Sequence, residues 1–144
     1  MSKPFTYELR VRFSDTDAAG IVYFGAFATY FDESFLAALR SHGIGWEEHH
    51  SYGFFLPIVE QHIQFYHPIR AGDKITVFVA ISRIGNRSFT SQHKVILREN
   101  GEDILVASGH ITRAVVTPSF QAQLIPQPLK NALLTIEGKL DIDP

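Results

Sequence analysis

The sequence predicts an α+β fold in which one antiparallel sheet wraps around a single long central helix. Three observations lead there. Four segments, residues 54–66, 74–84, 88–98 and 104–116, are rich in β-branched and aromatic residues, as pleated surfaces require. They are separated by short polar, turn-forming stretches at 70–73, 85–87 and 99–102, too short to hold crossover helices. One strongly amphipathic helical pattern follows an early strand, and it offers the cover that one apolar sheet face needs.

The chain has 144 residues, 45% of them hydrophobic, which is enough for one compact core and too few to favour two ordinary domains. Residues 1–144 are therefore read as a single domain, with a core over about 5–118 and a C-terminal extension over 119–144.

Taken in order, residues 7–13 alternate in a β-compatible way and form the first strand. Residues 14–24 then place two carboxylates and Gly20 on a turn. Over 25–42, Phe27, Phe31, Phe35, Ala38 and Leu39 recur at helical spacing, with Asp32, Glu33 and Arg40 in other directions. Gly43 ends this helix, and His42 suits its C-terminal end. A loop with Trp46, His49 and His50 leads into the four strands. Pro118, Pro126 and Pro128 then break the β pattern, and a short helix is expected after Pro126 before a frayed end.

Composition narrows the function. A formal charge of −2 and the lack of a basic run give no field for nucleic acid. The absence of cysteine excludes disulfides, thiolate metal sites and a cysteine nucleophile. The N-terminus lacks the apolar core of a secretory signal, and residues 104–116 are interrupted by Ser108, His110, Thr112 and Arg113. No stable membrane insertion and a cytoplasmic location are expected.

The chemistry is expected on the strand-to-helix turn. A helix N-terminus presents backbone N–H groups that can bind an oxyanion, while a neighbouring aspartate can attack a carbonyl or activate water. Acids before helices also serve as turn formers and N-caps, and Asp15 or Asp17 would suit that role too. A divalent metal site is not expected, because residues 18–24 supply no further oxygen ligands. His49 and His50 have no partner at zinc-ligand spacing. His62, His93 and His110 lie in strands, where spacing alone leaves them in solvent, core or interface.

The stretch Asp15-Thr-Asp17-Ala-Ala-Gly20-Ile-Val-Tyr23-Phe24, with Tyr66-His-Pro68-Ile-Arg70-Ala-Gly72-Asp73 further on, resembles the hotdog-fold acyl-CoA thioesterases of the 4-hydroxybenzoyl-CoA thioesterase type. The resemblance implies a single hotdog fold and hydrolysis of an aromatic acyl-CoA thioester. Its nearest branch implies 1,4-dihydroxy-2-naphthoyl-CoA as substrate. It places the catalytic carboxylate at Asp17 and the oxyanion donor at the backbone N–H of Phe24, which leaves Asp15 a structural role.

Gly20 would allow close approach of the chain at the turn. Tyr23, Phe27 and Tyr30, with Phe24, would suit an aromatic acyl group. Arg87 and Ser88 would meet the CoA phosphates, ahead of Arg70 and Lys94. A related hotdog branch carries its carboxylate on the central helix, which keeps Asp32 and Glu33 as rival candidates. No cofactor or metal is implied. The open edges of a single sheet imply a homo-oligomer, a dimer or tetramer. An acyl-binding module without catalysis, a broad fatty acyl-CoA thioesterase and a histidine-dependent dehydratase are the other readings of the same fold.

Overall fold

A computed structural model describes residues 4–45 and 53–142. The expectations for Trp46, His49 and His50 lie outside the described residues.

The sheet has five antiparallel strands: β1 (Phe5–Arg10), β2 (Ile58–Phe65), β3 (Lys74–Ile84), β4 (Ser88–Glu99) and β5 (Glu102–Ala114), in the order β1-β3-β4-β5-β2. Helix α1 (Phe24–Arg40) follows β1 and lies against one face, and α2 (Gln127–Thr135) closes the far end. This is the single hotdog fold, with the sheet wrapped around α1.

Strand β4 shows how the sequence builds the inner face. Phe89, Ser91, His93, Val95 and Leu97 are buried in strict alternation, and the residues between them face outward. Helix α1 meets this face with Phe27, Phe31 and Phe35, each at most 4% exposed. The Phe27 half packs with Val77, Val95 and Ala107, while the Phe35 half packs with Val79, Phe89 and Val115. Leu129 and Leu133 of α2 join the second group, so the hydrophobic core extends past residue 118.

The turns follow their sequences. Asn100 and Gly101 both have positive φ, 54° and 79°, which gives β4 and β5 a two-residue hairpin of the type that matches strand twist. Gly43 (φ 82°) ends the helical region as expected, although regular α1 stops at Arg40.

Strand β2 starts at Ile58 rather than at residue 54. Pro57 has no N–H to continue the ladder, so residue 55 makes only an isolated bridge to Val116. β2 sits at the edge of the sheet, and Ile58, Val59 and Phe65 remain at least 47% exposed. Among the described residues no helix is long and apolar enough to cross a membrane.

Candidate active site

After β1 the chain makes one 3-10 turn, Phe13–Asp15, and then a tight loop closed by a bridge between Thr16 and Val22. Asp17 stands at the base of that loop. Its backbone N–H donates to the Ile21 carbonyl (2.9 Å), and its carbonyl accepts from the Gly20 N–H (2.9 Å). One carboxylate oxygen, Oδ1, accepts from the Ala19 N–H at 2.8 Å, and the side chain is otherwise exposed. Asp17 is thus fixed by its own turn and keeps an oxygen free to react.

Gly20 adopts φ 79°, and a Cβ there would meet nothing within 4 Å. The expectation that Gly20 permits a close chain approach is therefore corrected. Glycine is needed for the left-handed backbone, not for space.

The loop ends at the N-terminus of α1. Tyr23 is the N-cap, and its side chain makes no capping bond. The Phe24 N–H, at the first helical position, has no partner among the described residues, as is usual for an uncapped helix start. It carries the partial positive charge of the helix end. The Phe24 ring itself is 77% exposed.

Asp17, Tyr23, Phe24 and Phe27 share one cleft of about 470 Å³ with Phe65, at the end of β2, and His67. Phe27 and Phe65 meet edge to face at 5.2 Å and form an aromatic wall. Val22 N–H donates to the Ile69 carbonyl (2.9 Å), which ties the Asp17 loop to the opposite wall. The cleft therefore joins an exposed carboxylate, a free helix-end amide and aromatic walls. Such a site can deliver a nucleophile or activated water to a carbonyl whose oxygen is polarised by the amide.

Tyr30 is not part of this cleft. It is 2% exposed, and its hydroxyl donates to Asp15 Oδ2 at 2.9 Å. Burial first, and then this bond to a carboxylate, push the phenol pKa well above its ordinary value. Its expected contact with the acyl group is replaced by a contact with Asp15.

Arg87 and Ser88 lie at the other end of the sheet. Ser88 pairs with Ala114, whereas the cleft end of β2 pairs through Phe65 with Ala107, which in turn faces Val95. Seven residues of β4 separate these two points, about 23 Å of strand. Arg87 is exposed, and Ser88 Oγ accepts from the Arg83 guanidinium at 2.9 Å. One protomer does not bring this pair to its own Asp17.

The rival acid Asp32 is bound to Arg113, Nη2 to Oδ1, at 2.6 Å. Neither Asp32 nor Glu33 lines the Asp17 cleft.

The strand histidines separate clearly. His62 and His110 stack across β2 and β5 at 5.5 Å, and His110 pairs with Glu60 at 3.0 Å. His93 is in the core. His67 was not singled out by the sequence, yet it reaches the Asp17 cleft. Its signal was its place in the Tyr66-His-Pro68 stretch, which reads as a strand end and not as a cleft wall. Among the described residues no cluster of three or more His, Asp or Glu could hold a metal ion.

A model of the thioesterase-like superfamily matches residues 11–133. A 1,4-dihydroxy-2-naphthoyl-CoA hydrolase of Crocosphaera subtropica is 32% identical over 117 residues, which cover 81% of this chain and 85% of that protein. The crystal structure of a 1,4-dihydroxy-2-naphthoyl-CoA thioesterase from Synechocystis is 29% identical, with a TM-score of 0.82, and the match covers 91% of this chain and 96% of that one. The structure of a gentisyl-coenzyme A thioesterase is 31% identical, with a TM-score of 0.78 over 89% of this chain and 98% of that one.

Proposed function

This chain belongs to the thioesterase-like superfamily, and from that premise we propose that it hydrolyses 1,4-dihydroxy-2-naphthoyl-CoA to 1,4-dihydroxy-2-naphthoate and CoA, a step of phylloquinone and menaquinone biosynthesis. The observation that carries this reading is the meeting of the Asp17 carboxylate and the free Phe24 amide in one aromatic cleft. The curated relatives with that activity support the choice of acyl group.

The thioester carbonyl oxygen accepts from the Phe24 N–H, where the helix end stabilises the charge that develops on it. Asp17 Oδ2, which makes no hydrogen bond among the described residues, acts on the carbonyl carbon. It either attacks directly, giving a mixed anhydride that water then cleaves, or takes a proton from the attacking water. Both routes release CoA thiolate and use the same two groups, so the site requires no metal or cofactor. Tyr23 and Phe27 hold the fused ring, and Gly20 sets the loop that presents Asp17.

The CoA phosphates are met by Arg87 and Ser88 of a second copy, since about 23 Å of strand separates them from the cleft within one protomer. A homo-oligomer follows, a dimer or a dimer of dimers, built on the open edge of β2 with its exposed Ile58, Val59 and Phe65. We place the protein in the cytoplasm, where acyl-CoA substrates are found.

The similarity to a gentisyl-CoA thioesterase favours one second reading, a hydrolase of smaller hydroxybenzoyl-type thioesters. The test is kcat/KM for CoA release from 1,4-dihydroxy-2-naphthoyl-CoA, gentisyl-CoA, 4-hydroxybenzoyl-CoA and short and long fatty acyl-CoAs. Preference for the dihydroxynaphthoyl ester supports the proposal. Preference for a single-ring ester moves the protein to the second reading, and fatty acyl preference to a general thioesterase. Binding without hydrolysis of any ester leaves an acyl-binding module.

A further inference from the structure

The turn carries two carboxylates with opposite surroundings. Asp17 is exposed, whereas Asp15 is 6% exposed and held by three donors. The Tyr30 hydroxyl and the Arg12 N–H donate to its Oδ2, at 2.9 and 3.1 Å, and the Arg12 guanidinium donates to its Oδ1 at 3.1 Å. Burial raises the Asp15 pKa, and these bonds more than offset it, so the carboxyl stays below its ordinary range and remains ionised.

Asp15 also works through its main chain. Its carbonyl accepts from the Tyr23 N–H at 3.2 Å, one residue before the free amide of Phe24. Tyr30 lies six residues beyond Phe24, on the next turn of α1. Asp15 is therefore bonded to the N-cap of α1 by its carbonyl and to the second turn of α1 by its carboxylate, and it precedes Asp17 by two residues.

We infer that Asp15 and Tyr30 are positioning residues, whose buried hydrogen bond fixes the Asp17 carboxylate relative to the Phe24 amide. The inference rests on the reading of those two groups as nucleophile or base and oxyanion donor. Without this bond the loop keeps its own turn at Asp17 and α1 keeps its packing on the sheet, but one of the ties between them is lost. A small error in the relative placement of two reacting groups is costly, since a shift of about 1 Å can lower a rate about a hundredfold. Replacing a buried ion pair by apolar groups of the same shape is often neutral or stabilising, so burial of this carboxylate is not by itself an argument for stability.

The decisive variant is Tyr30→Phe, which removes one hydroxyl and leaves the ring in its edge contact with Phe27 at 5.5 Å. Steady-state hydrolysis of 1,4-dihydroxy-2-naphthoyl-CoA is expected to lose about ten- to a hundredfold in kcat, with KM changed by less than about threefold. Asp15→Asn is expected to lower kcat as well, and the double variant to lose less than the product of the two single losses. Leu133→Ala, in α2 far from the cleft, is the stability control and is expected to keep kcat within about twofold despite a lowered Tm.

A Tyr30→Phe enzyme with wild-type kcat overturns the inference, and so does an equal kcat loss in Leu133→Ala at matched Tm. Asp17→Asn in the same series separates the two layers. If it is inactive while Tyr30→Phe is unaffected, the function stands and the positioning role falls. If Asp17→Asn turns over normally, the catalytic role of Asp17 falls and the positioning role falls with it.

Discussion

His93 Nδ1 lies 3.2 Å from Ser34 Oγ, a hydrogen bond that joins the middle of α1 to β4 inside the core. The Ser34 hydroxyl proton already goes to the Phe31 carbonyl at 2.8 Å, so the Ser34 oxygen accepts and His93 carries its proton on Nδ1. Nε2 then accepts from the Ser91 hydroxyl at 2.8 Å. The ring stacks on Phe31 at 4.6 Å. Complete burial, aided by the nearby positive Arg113, pushes the His93 pKa down from 6.5 to about 3.

Acid lability follows from this ring. Above pH 6.5 it is neutral in the folded and unfolded chains alike, and its contribution to stability is complete. As pH falls below 6.5 the unfolded chain takes up a proton that the folded core refuses, so stability is lost at up to about 1.4 kcal/mol per pH unit until about pH 3. Denaturant unfolding at pH 7.5, 6 and 5 should show this loss in the wild type and a smaller one in His93→Gln. Equal slopes in the two proteins would remove His93 as the cause.

The Phe24 amide can be deleted cleanly. Phe24 is the first residue of α1, where proline is well tolerated, and Tyr23 before it is already extended at φ −78° and ψ 156°. Phe24→Pro should keep the helix by circular dichroism and lower kcat by about 10²–10³-fold, the typical effect of losing one oxyanion donor. Phe24→Ala keeps the donor and should stay within about tenfold of that enzyme's parent. Similar turnover in the proline and alanine variants would take the amide out of the mechanism.

The two candidate acids give opposite results on substitution. Asp17→Asn keeps an oxygen for the Ala19 amide, so stability should hold while kcat falls by at least about a hundredfold. Asp32→Asn weakens the partner of Arg113, a 5%-exposed cation that stacks on Phe35 at 4.5 Å and whose Nε has no hydrogen-bond partner among the described residues. With the Asp32 side chain 42% exposed, a loss of about 1–2 kcal/mol is expected at nearly unchanged kcat. A silent Asp17→Asn beside an inactive Asp32→Asn would move the chemistry to the helix.

Local rules made the fold readable. Strand β3 runs over the predicted 74–84, because its alternating apolar residues and its flanking turns agree. The first strand covers Phe5–Arg10 and not 7–13: the alternation runs unbroken from Phe5 to Phe13, but a 3-10 turn at Phe13–Asp15 takes the chain out of the sheet. The Asp17 turn and the helix start were legible because turn chemistry and helix capping are local in sequence. Tyr30 was not. Helical spacing puts it on the apolar face, but nothing in the sequence tells that its hydroxyl ends on Asp15, fifteen residues earlier. His67 and Phe65 were missed for a related reason, because the cleft wall they form depends on how β2 pairs with β5.

That pairing depends on one glycine. A Cβ on Gly109 of β5 would collide with the His62 carbonyl oxygen of β2 and would come within 3.0 Å of Ile63 Cα. These are backbone atoms of a paired strand, so they cannot turn away as a side-chain tip could. Gly109→Ala should therefore push β2 off β5 rather than strain a single rotamer. A loss of at least about 2 kcal/mol is expected, in the range of overpacking in a tight interior. Because Phe65 at the end of β2 walls the cleft, the same variant should raise KM, and the proposed pairing of copies through the β2 edge predicts a shift toward monomer in sedimentation velocity. Hydrogen exchange gives the local check, with amides of residues 58–65 losing protection while those of β1 and β3 keep it. Unchanged protection in β2 would mean that the two backbones separate at no cost, contrary to the contact drawn by Gly109.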